Sequence, residues 1–321
     1  MEYFMEGIEI GKSVNLKVES IKKAIFIGVG GSGIVGDVAA EMLSSKGIET
    51  KTLKSYNLPK GDWDLAIAIS HSGNTIETIK PVLELIDQNT PCVFITSGGI
   101  LGEVAAKKRI PIAEVKRGIP PRYCFSNMLG ALLGIFEEIG AIRIEVNVED
   151  LKRFQKRVMR ENPTNLNPAK QAAIKIADLN PLIYVCERTK SVGYRLKCQL
   201  NENAKMHCGF GEVPEVLHND IEAIGCNDLI ILPRISEEDY EVKEVMDALI
   251  SFFDDRCLCL RADSKGGLSE LLELFMLVDY ISLYVSVLKD ADPINIPRII
   301  ELRKRNRLSE EILKRVRAIF L

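Results

Sequence analysis

The sequence is poor in residues that bind metals and in charge that binds nucleic acid. Only three of its 321 residues are histidines, His71, His207 and His218, and its eight cysteines include no C-x-x-C pair. A zinc site needs tighter ligand spacing than this. The formal net charge is -3, with lysine and arginine spread along the chain rather than gathered into a basic arm. We therefore expect no metal site, no nucleic-acid partner and no attraction to an anionic membrane.

Secretion and membrane signals are scarce as well. Residues 1–6 are acidic and do not follow a signal-peptide pattern. The longest apolar stretch, 268–288, carries Glu270, Glu273 and Asp279, which indicates a buried helix rather than a membrane span. The cysteines in apolar, strand-like runs are Cys92, Cys186, Cys257 and Cys259. Buried free thiols are typical of a reducing compartment, so we expect a cytoplasmic protein.

What the sequence does contain is a regular alternation of apolar runs and amphipathic segments. The strand-like runs lie at 24–27, 65–69, 92–96, 182–186, 228–233 and 256–260. Segments of helical periodicity separate them. This alternation predicts an α/β fold of parallel sheets flanked by helices, doubly wound and flavodoxin-like.

Two halves with the same alternation predict two domains of one fold. Residues 1–147 should form the N-terminal domain, and residues 148–321 a helical connector, the C-terminal domain and a C-terminal helical tail. Local patterns also predict a leading helix over 12–22, a loop over 207–218 and a docking helix over 308–319. The turn after the first strand of the second half is less glycine-rich than its counterpart, so the halves should not carry equal sites.

A glycine-rich turn, Gly28-x-Gly30-x-x-Gly33, follows the first strand and has three interpretations. Its spacing matches a dinucleotide-binding fingerprint, which expects an acidic residue at the end of the next strand. Residues 51–55 instead read Lys-Thr-Leu-Lys-Ser. The glycines could otherwise serve only close packing, or they let a substrate approach the backbone beside Ser32. We favour the substrate-binding turn.

The segment Ser70-His71-Ser72-Gly73-Asn74-Thr75 lies where a buried apolar strand turns into a helix. Backbone N–H groups at a helix N-terminus, together with small hydroxyl side chains, bind phosphate dianions. One hydroxyl would be enough for an ordinary helix N-cap. Three hydroxyls and a glycine exceed that need, so we interpret segment 70–75 as a site for the phosphate of a small substrate.

Two later segments carry side chains suited to acid–base chemistry. Asn201-Glu202-Asn203 ends an apolar-faced helix, and His218 follows a proline turn. A carboxylate and a histidine near a phosphosugar would serve as carbon base and ring-opening group. Plainer interpretations exist for both, since Glu202 could pair with Lys205 on a solvated helix face and a lone loop histidine is often structural.

Five motifs occur in a fixed order along the chain. They are Gly-x-Gly-Gly-Ser-Gly-Ile-x-Gly-Asp at 28–37, Ser-x-Ser-Gly-Asn-Thr-x-Glu-Thr at 70–78, Pro-Pro-Arg at 120–122, Asn-Glu-Asn at 201–203 and Pro-Glu-x-x-His-Asn at 214–219. With these motifs the chain resembles the bifunctional phosphoglucose/phosphomannose isomerases of the sugar isomerase (SIS) superfamily. The first two motifs mark the superfamily, and the five together are specific to the family.

The resemblance implies two SIS domains and a reversible isomerisation of glucose 6-phosphate or mannose 6-phosphate with fructose 6-phosphate, through a cis-enediol(ate), without metal or cofactor. It implies Glu202 as the base between C1 and C2, His218 as the ring-opening residue and Arg122 as the cation beside the enediolate. The residues implied to hold the phosphate and line the sugar are Ser70, Ser72, Thr75, Gly30, Gly31 and Ser32. It also implies a homodimer in which the neighbouring subunit supplies His218.

Two positions depart from the family pattern. His71 stands between the two serines, where the family has tyrosine or a similar residue, and it either tunes phosphate binding or points away from the phosphate. The family also has an active-site lysine near its C-terminus, and the register of this chain places Arg303 there, with Lys304 beside it. Arginine and lysine are not equivalent in such a role.

Other functions stay open at the level of sequence. A non-catalytic SIS module that senses a sugar phosphate would need only the phosphate-binding turn. An amino-sugar isomerase like the synthase half of glucosamine-6-phosphate synthase is a third hypothesis, but that enzyme uses a leading nucleophilic cysteine, and the first cysteine here is Cys92. The sequence does not decide between glucose 6-phosphate and mannose 6-phosphate.

Overall fold

The computed structural model describes residues 1–18 and 20–320, and the chain divides into two compact units. Unit 1 comprises residues 1–144 together with the chain from Ile296 onward, and unit 2 comprises Glu145–Asn295. Positions 19 and 321 of the predicted domain ranges lie outside the described residues. Each unit is a parallel sheet flanked by helices, which confirms the predicted fold class.

Unit 1 alternates strands and helices around a five-stranded sheet. Its elements are α1 (Glu2–Lys12), β1 (Lys23–Ile27), α2 (Gly31–Ser44), β2 (Glu49–Leu53), β3 (Leu65–Ile69), α3 (Ile76–Asp87), β4 (Cys92–Thr96), α4 (Gly99–Lys108), β5 (Ile112–Glu114) and α5 (Phe125–Glu138). The strands run parallel in the order β2-β1-β3-β4-β5. The central strands are apolar and buried because helices cover both faces of the sheet.

The strand order of unit 1 places two of the sequence motifs side by side. Consecutive strands are added to the left of β1 and then to its right, so the direction reverses between β1 and β3. In doubly wound sheets, ligands bind beyond the carboxyl ends of the strands at such a reversal. The turns at this position are the glycine-rich turn after β1 and segment 70–75 after β3.

Unit 2 repeats this arrangement with four strands. Its elements are α6 (Val148–Val158), α7 (Pro168–Ala177), β6 (Asn180–Val185), α8 (Lys190–Asn203), β7 (Gly209–Glu212), β8 (Asp228–Pro233), α9 (Tyr240–Phe253), β9 (Cys257–Leu260) and α10 (Gly267–Leu288). The strands run parallel in the order β7-β6-β8-β9. The direction of strand addition therefore reverses between β6 and β8.

The edge strand β7 lies within residues 207–218, which the sequence pattern predicts to be a loop. Gly209 and Gly211 lower the strand propensity of this segment. Both glycines are needed for packing, since a Cβ on Gly209 would lie 2.6 Å from Leu182 Cδ2, and one on Gly211 would lie 2.2 Å from Val216 Cγ1. The segment therefore forms a strand because it fits against β6, and not because of its own composition.

The leading helix covers residues 2–12 rather than the predicted 12–22. Two glycines lower its intrinsic helix propensity, but they allow α1 to pack closely on α5. A Cβ on Gly7 would lie 2.2 Å from Asn127 O, and one on Gly11 would lie 2.1 Å from Ala131 O. The contact with α5 therefore stabilises a helix that the local pattern does not predict.

The chain ends in two helices, α11 (Pro297–Arg305) and α12 (Arg307–Phe320). The predicted C-terminal domain includes this tail, whereas the structure places the tail in unit 1. The apolar face of α12, with Ile312, Leu313 and Val316, packs against the core that covers one face of the first sheet. An amphipathic helix buries its apolar stripe wherever a matching surface is available, irrespective of its neighbours in sequence.

Within the described residues, α10 is the one helix long and apolar enough to cross a membrane by length and composition alone. Its acidic side chains have partners inside unit 2. Glu273 is fully buried and accepts bonds from Ser264 N and Oγ at 2.8 and 2.7 Å. Arg195 of α8 forms a two-bond ion pair with Asp279, with both distances 2.7 Å. These contacts make α10 the core helix of unit 2, as predicted.

All eight cysteines are free thiols. The buried ones are Cys92, Cys124, Cys186 and Cys208. Burial raises the pKa of both Cys92 and Cys124 to about 12, so these thiols stay protonated near neutral pH. Of the four cysteines in the predicted strands, Cys92 and Cys186 are buried as expected, whereas Cys257 and Cys259 are half-buried.

Candidate active site

The glycines of the turn between β1 and α2 have two different roles. A Cβ on Gly28 would lie 2.9 Å from Ile69 O, and one on Gly33 would lie 2.7 Å from Gly28 O, so both positions require glycine for packing. Gly30, with φ +57°, and Gly31 have open space where a Cβ would be. The packing interpretation therefore holds for two glycines, while the other two leave the backbone accessible to a ligand.

The surroundings of this turn do not suit a dinucleotide. Lys54 directly follows β2, where a dinucleotide-binding unit places the acidic residue that bonds the ribose. Its Nζ lies 2.5 Å from Asp37 Oδ2 on α2. Ser32 is half-buried in the first turn of α2, and its hydroxyl lies 3.8 Å from the sulfur of Met128. Ser32 is therefore a polar side chain next to Gly30 and Gly31, where the backbone is open.

Segment 70–75 forms a tight turn between β3 and α3. Ser70 is buried, and its hydroxyl donates to Thr75 Oγ1 at 3.0 Å. Ser72 is exposed, and its hydroxyl accepts from Asn74 N at 3.3 Å. Thr75 is the N-cap residue of α3, but among the described residues its side chain makes no capping bond. The plainer interpretation requires a hydroxyl that caps α3, and the N-cap residue Thr75 makes no such bond.

The turn after β4 supports segment 70–75, a role that the sequence pattern does not predict. Ser97 N and Ser97 Oγ both donate to His71 O, at 2.9 and 2.7 Å. A Cβ on Gly73, which has φ +64°, would lie 1.8 Å from Gly98 O, so the two turns touch through their backbones. The available signal was the run Ser97-Gly98-Gly99, which follows a buried strand as segment 70–75 does.

His71 connects segment 70–75 to the chain that leads to Arg122. Its ring is 7% exposed, and Nε2 lies 2.9 Å from Lys116 O. Because a carbonyl only accepts hydrogen bonds, Nε2 must carry the proton. Lys116 N in turn donates to Asn127 Oδ1 of α5 at 2.9 Å. The imidazole is therefore a link within the scaffold of unit 1.

Arg122 lies in a short 3-10 helix, Pro121–Cys124, directly before α5. The residue is 7% exposed, and its guanidinium carbon lies 4.9 Å from the centre of the Tyr123 ring. A buried cation suits the electrostatic stabilisation of a negatively charged reaction intermediate. Arg122 and segment 70–75 belong to the same unit.

The C-terminal cations have a different environment. Arg303 and Lys304 are exposed on α11, and within the described residues no side chain of that helix is buried. The helix belongs to unit 1, like segment 70–75. Their predicted part in substrate binding stays a prediction.

Glu202 lies in the last turn of α8 in unit 2, where both neighbours fix the backbone. Asn201 Nδ2 donates to Met206 O at 2.7 Å, and the buried Asn203 donates from Nδ2 to Ser282 Oγ at 2.9 Å. Glu202 itself is half-buried. Lys205 Nζ donates to the backbone carbonyl of Glu202. The Asn-Glu-Asn motif thus holds a carboxylate on a helix end that is attached on two sides.

His218 ends a 3-10 helix, Glu215–His218, and is exposed. The next residue, Asn219, ties this segment together, because Nδ2 donates to Glu215 Oε1 at 3.2 Å and Oδ1 accepts from Asp220 N at 2.5 Å. His218 is therefore presented on an ordered segment of unit 2.

Unit 1 thus holds the glycine-rich turn, segment 70–75 and Arg122, while unit 2 holds Glu202 and His218. Within unit 1, the pairing of Ile27 with Ala68 brings the first two turns to the same edge of the sheet. Across the described residues, no three histidine, cysteine, aspartate or glutamate side chains form a group that could hold a metal ion. The catalytic and binding roles of the site residues stay predictions.

Comparison with known proteins agrees with this architecture. Residues 165–305 match the family model of the bacterial phospho-glucose isomerase C-terminal SIS domain. The fold is similar to the C-terminal domain of glucosamine-fructose-6-phosphate aminotransferase from Francisella tularensis, with a TM-score of 0.71 and 15% identity, covering 92% of this chain and 95% of that one. Residues 165–305, which include most of unit 2, therefore match a SIS domain.

Sequence similarity over nearly the whole length of the chain identifies its family. The chain is 31% identical over 306 residues to the bifunctional phosphoglucose/phosphomannose isomerase of Aquifex aeolicus, covering 91% of each chain. It is 29% identical over 335 residues to the protein of the same name from Caldicellulosiruptor bescii, covering 96% of each. The chain belongs to the bifunctional phosphoglucose/phosphomannose isomerase family.

Proposed function

We propose that this protein interconverts fructose 6-phosphate with glucose 6-phosphate, mannose 6-phosphate or both, by aldose–ketose isomerisation. The observation that carries the proposal is family membership over 91% of the chain. The exposed Ser72 and the open backbone at Gly30 and Gly31 support it, because they leave a place for an anionic sugar at the reversal of strand order in unit 1.

In the proposed reaction, the carboxylate of Glu202 takes the proton from C2 of the open-chain aldose. The electron pair of the C–H bond moves toward C1, the carbonyl oxygen O1 becomes negative, and a cis-enediol(ate) forms. Arg122 stabilises that charge through its buried guanidinium. Glu202 returns the proton to C1 while the hydroxyl proton of O2 passes to O1, which leaves the carbonyl at C2. His218 opens the sugar ring by moving a proton between the ring oxygen and O1.

Binding falls to other residues in this proposal. The residues that hold the phosphate are Ser70, Ser72 and Thr75, with Gly30, Gly31 and Ser32 along the sugar and Arg303 or Lys304 as a further cationic contact. Proton transfer next to a carbonyl needs a base, an acid and a fixed cation, so we propose no metal ion and no cofactor.

We also propose a cytoplasmic homodimer in which each site receives His218 from the neighbouring subunit. The exposure of His218 supports this arrangement, because an exposed side chain is available to a second chain. The free thiols support a reducing compartment.

Incubation of the purified protein with fructose 6-phosphate in D2O tests the reaction. Both aldose 6-phosphates should be resolved by anion-exchange chromatography, and deuterium at C2 of the aldose would report exchange of the transferred proton with solvent. Thermal stabilisation by fructose 6-phosphate with no aldose formed would instead support a sugar-phosphate sensor. The ratio of the initial rates of the two products gives the substrate preference.

A further inference from the structure

Lys205 adopts a backbone conformation that lysine does not favour. It follows the C-cap residue Ala204 of α8 and has φ +55°. This left-handed position after a helix is usually occupied by glycine, because a Cβ is strained there. A lysine at this position therefore carries backbone strain, which a contact of its side chain can offset.

The ammonium group supplies that contact by joining two distant segments of unit 2. Lys205 Nζ donates to Glu202 O at 2.5 Å, Asp292 O at 2.7 Å and Asn295 O at 2.7 Å. An ammonium has three donor hydrogens, so it can donate to these three carbonyls at once. The first carbonyl belongs to the last turn of α8, and the other two belong to the segment after α10.

The segment that receives Lys205 is itself held in one conformation. Asp292 Oδ1 accepts from Ile294 N at 2.7 Å and from Asn295 N at 3.3 Å. These backbone bonds lower the pKa of the Asp292 carboxyl group, so they persist at neutral pH. Segment 292–295 is thus a firm anchor for the end of α8.

Among the contacts that fix this helix end, the one from Lys205 acts on Glu202 itself. Asn201 and Asn203 attach their own side chains to Met206 and Ser282. The carbonyl of Glu202 lies in the last turn, where helix carbonyls have no intrahelical donor. Lys205 therefore gives the carbonyl of residue 202 a hydrogen-bond donor and ties it to segment 292–295.

We propose that Lys205 is a positioning residue that holds Glu202 at the place required for proton transfer between C1 and C2. This role rests on the proposed isomerase function. Displacement of a catalytic group by about 1 Å costs up to roughly a hundredfold in rate. Loss of the ammonium should therefore lower kcat much more than it changes KM.

Lys205→Gly is the decisive variant, because it removes the ammonium and also relieves the left-handed strain. We expect kcat to fall about tenfold or more, KM to change by less than about twofold, and Tm to stay or rise. Lys205→Met, which keeps the strain and the alkyl stem, should lose a similar factor in kcat. Lys205→Arg should recover part of it, because the charge and donors are retained.

Arg109→Gly is the matched control. Arg109 is an exposed basic residue that caps α4 of unit 1 with φ +57°, so the same backbone change is made away from Glu202. Its kcat should equal that of the wild type. Amide hydrogen exchange gives a second measurement: the N–H groups of Ala204 and Met206, which bond to Leu200 O, should exchange faster in Lys205→Met.

The outcomes separate the two proposals. An active wild type with an equally active Lys205→Gly variant overturns the positioning role alone. A Lys205→Gly variant that does not fold also overturns it, because the side chain would then serve stability. A wild type that converts no fructose 6-phosphate overturns the proposed function and the positioning role with it.

Discussion

The turns after β3 and after β8 occupy the same place in their sheets, but their polar groups have different partners. The turn after β3 keeps an exposed hydroxyl, whereas the turn after β8 binds a carboxylate of the protein itself. After β3, unit 1 has the hydroxyls of segment 70–75, with Ser72 exposed. After β8, unit 2 has Ser236, whose N–H and hydroxyl both donate to the carboxylate of Glu270, at 2.7 and 3.1 Å. Gly266 N donates to the same carboxylate at 2.9 Å, and Glu270 is only 4% exposed.

The turns after β1 and after β6 differ in the same way: the turn in unit 1 is open, and the turn in unit 2 is closed. In unit 1, Gly30 and Gly31 leave open space beside the backbone. In unit 2, the corresponding turn is a short 3-10 helix, Glu187–Thr189, in which the fully buried Thr189 bonds to Cys186 N at 3.1 Å. This difference agrees with the expectation that the two halves do not carry equal sites.

The comparison shows how one topology serves two purposes. In unit 2, an internal carboxylate from α10 satisfies the donors that a phosphate could otherwise use, so the turn is closed by the protein itself. In unit 1, Ser70 donates to Thr75 within the turn, and Ser72 stays exposed at the edge of the sheet. We infer that the turn of unit 1 is open to an anion and that the equivalent turn of unit 2 is not.

Glu202→Gln gives the largest expected effect and tests whether proton transfer and phosphate binding depend on different residues. Removal of a general base lowers kcat by about 10²- to 10⁴-fold. Phosphate binding should be unchanged, because glutamine has a similar volume and segment 70–75 is intact. A coupled assay and the shift of Tm by phosphate measure the two quantities. Glu244→Gln, at an exposed position on α9, is the control, and near-normal turnover of Glu202→Gln would show that Glu202 is not the base.

Glu270→Ala tests whether the carboxylate takes the place of a bound anion. Leaving buried donors unsatisfied costs about 1–3 kcal/mol each, so we expect a loss of about 3 kcal/mol in the free energy of unfolding. Sulfate should restore part of the lost Tm, and more than it raises the Tm of the wild type. The same measurement with Ser72→Ala in both backgrounds removes the contribution of unit 1. If sulfate stabilises both proteins equally, Glu270 is not a substitute for an anion.

Ser72→Ala tests whether the exposed hydroxyl in unit 1 binds the phosphate of the substrate. A hydrogen bond to a charged group contributes about 1.5–3 kcal/mol, so KM for fructose 6-phosphate should rise about tenfold or more while kcat is retained. Ser236→Ala is the matched control, because it makes the same change in the equivalent turn of unit 2. An equal rise of KM in the two variants would remove the distinction between the turns.

His71→Asn and His71→Gln give the smallest expected effect. The amide nitrogen of glutamine reaches nearly as far as Nε2, so it should keep the bond to Lys116 O, whereas asparagine is too short. We expect His71→Asn to be about 1 kcal/mol less stable than His71→Gln, as measured by thermal unfolding. Equal stability of the two variants would show that the link between segment 70–75 and Lys116 contributes nothing.

Elements with strong local signals were predictable from the sequence. The buried strands β3 and β4 follow directly from apolar runs of strand length. Helix α7 begins where its local signals indicate, because Asn167 accepts from Ala169 N and Lys170 N as the N-cap and Pro168 occupies the first turn. The glycine-rich turn and segment 70–75 were predictable too, since parallel strands place their carboxyl-end turns on one edge of the sheet.

The features that the sequence did not reveal depend on partners far away along the chain. Helix α1 and strand β7 form because glycine lets them pack against α5 and β6, although their own composition opposes regular structure. Helix α12 joins unit 1 because its apolar stripe matches that core.

By itself, the amino-acid sequence determined the α/β class, the two-unit organisation and the chemical character of the candidate site, because these follow from short-range periodicity and residue type. Only the tertiary structure decided that Glu270 closes the turn of unit 2, that His71 bonds to Lys116 and that Lys205 holds the carbonyl of Glu202. Hydrogen bonds of this kind depend on which buried donors and acceptors the fold brings within about 3 Å, and local sequence does not encode that distance.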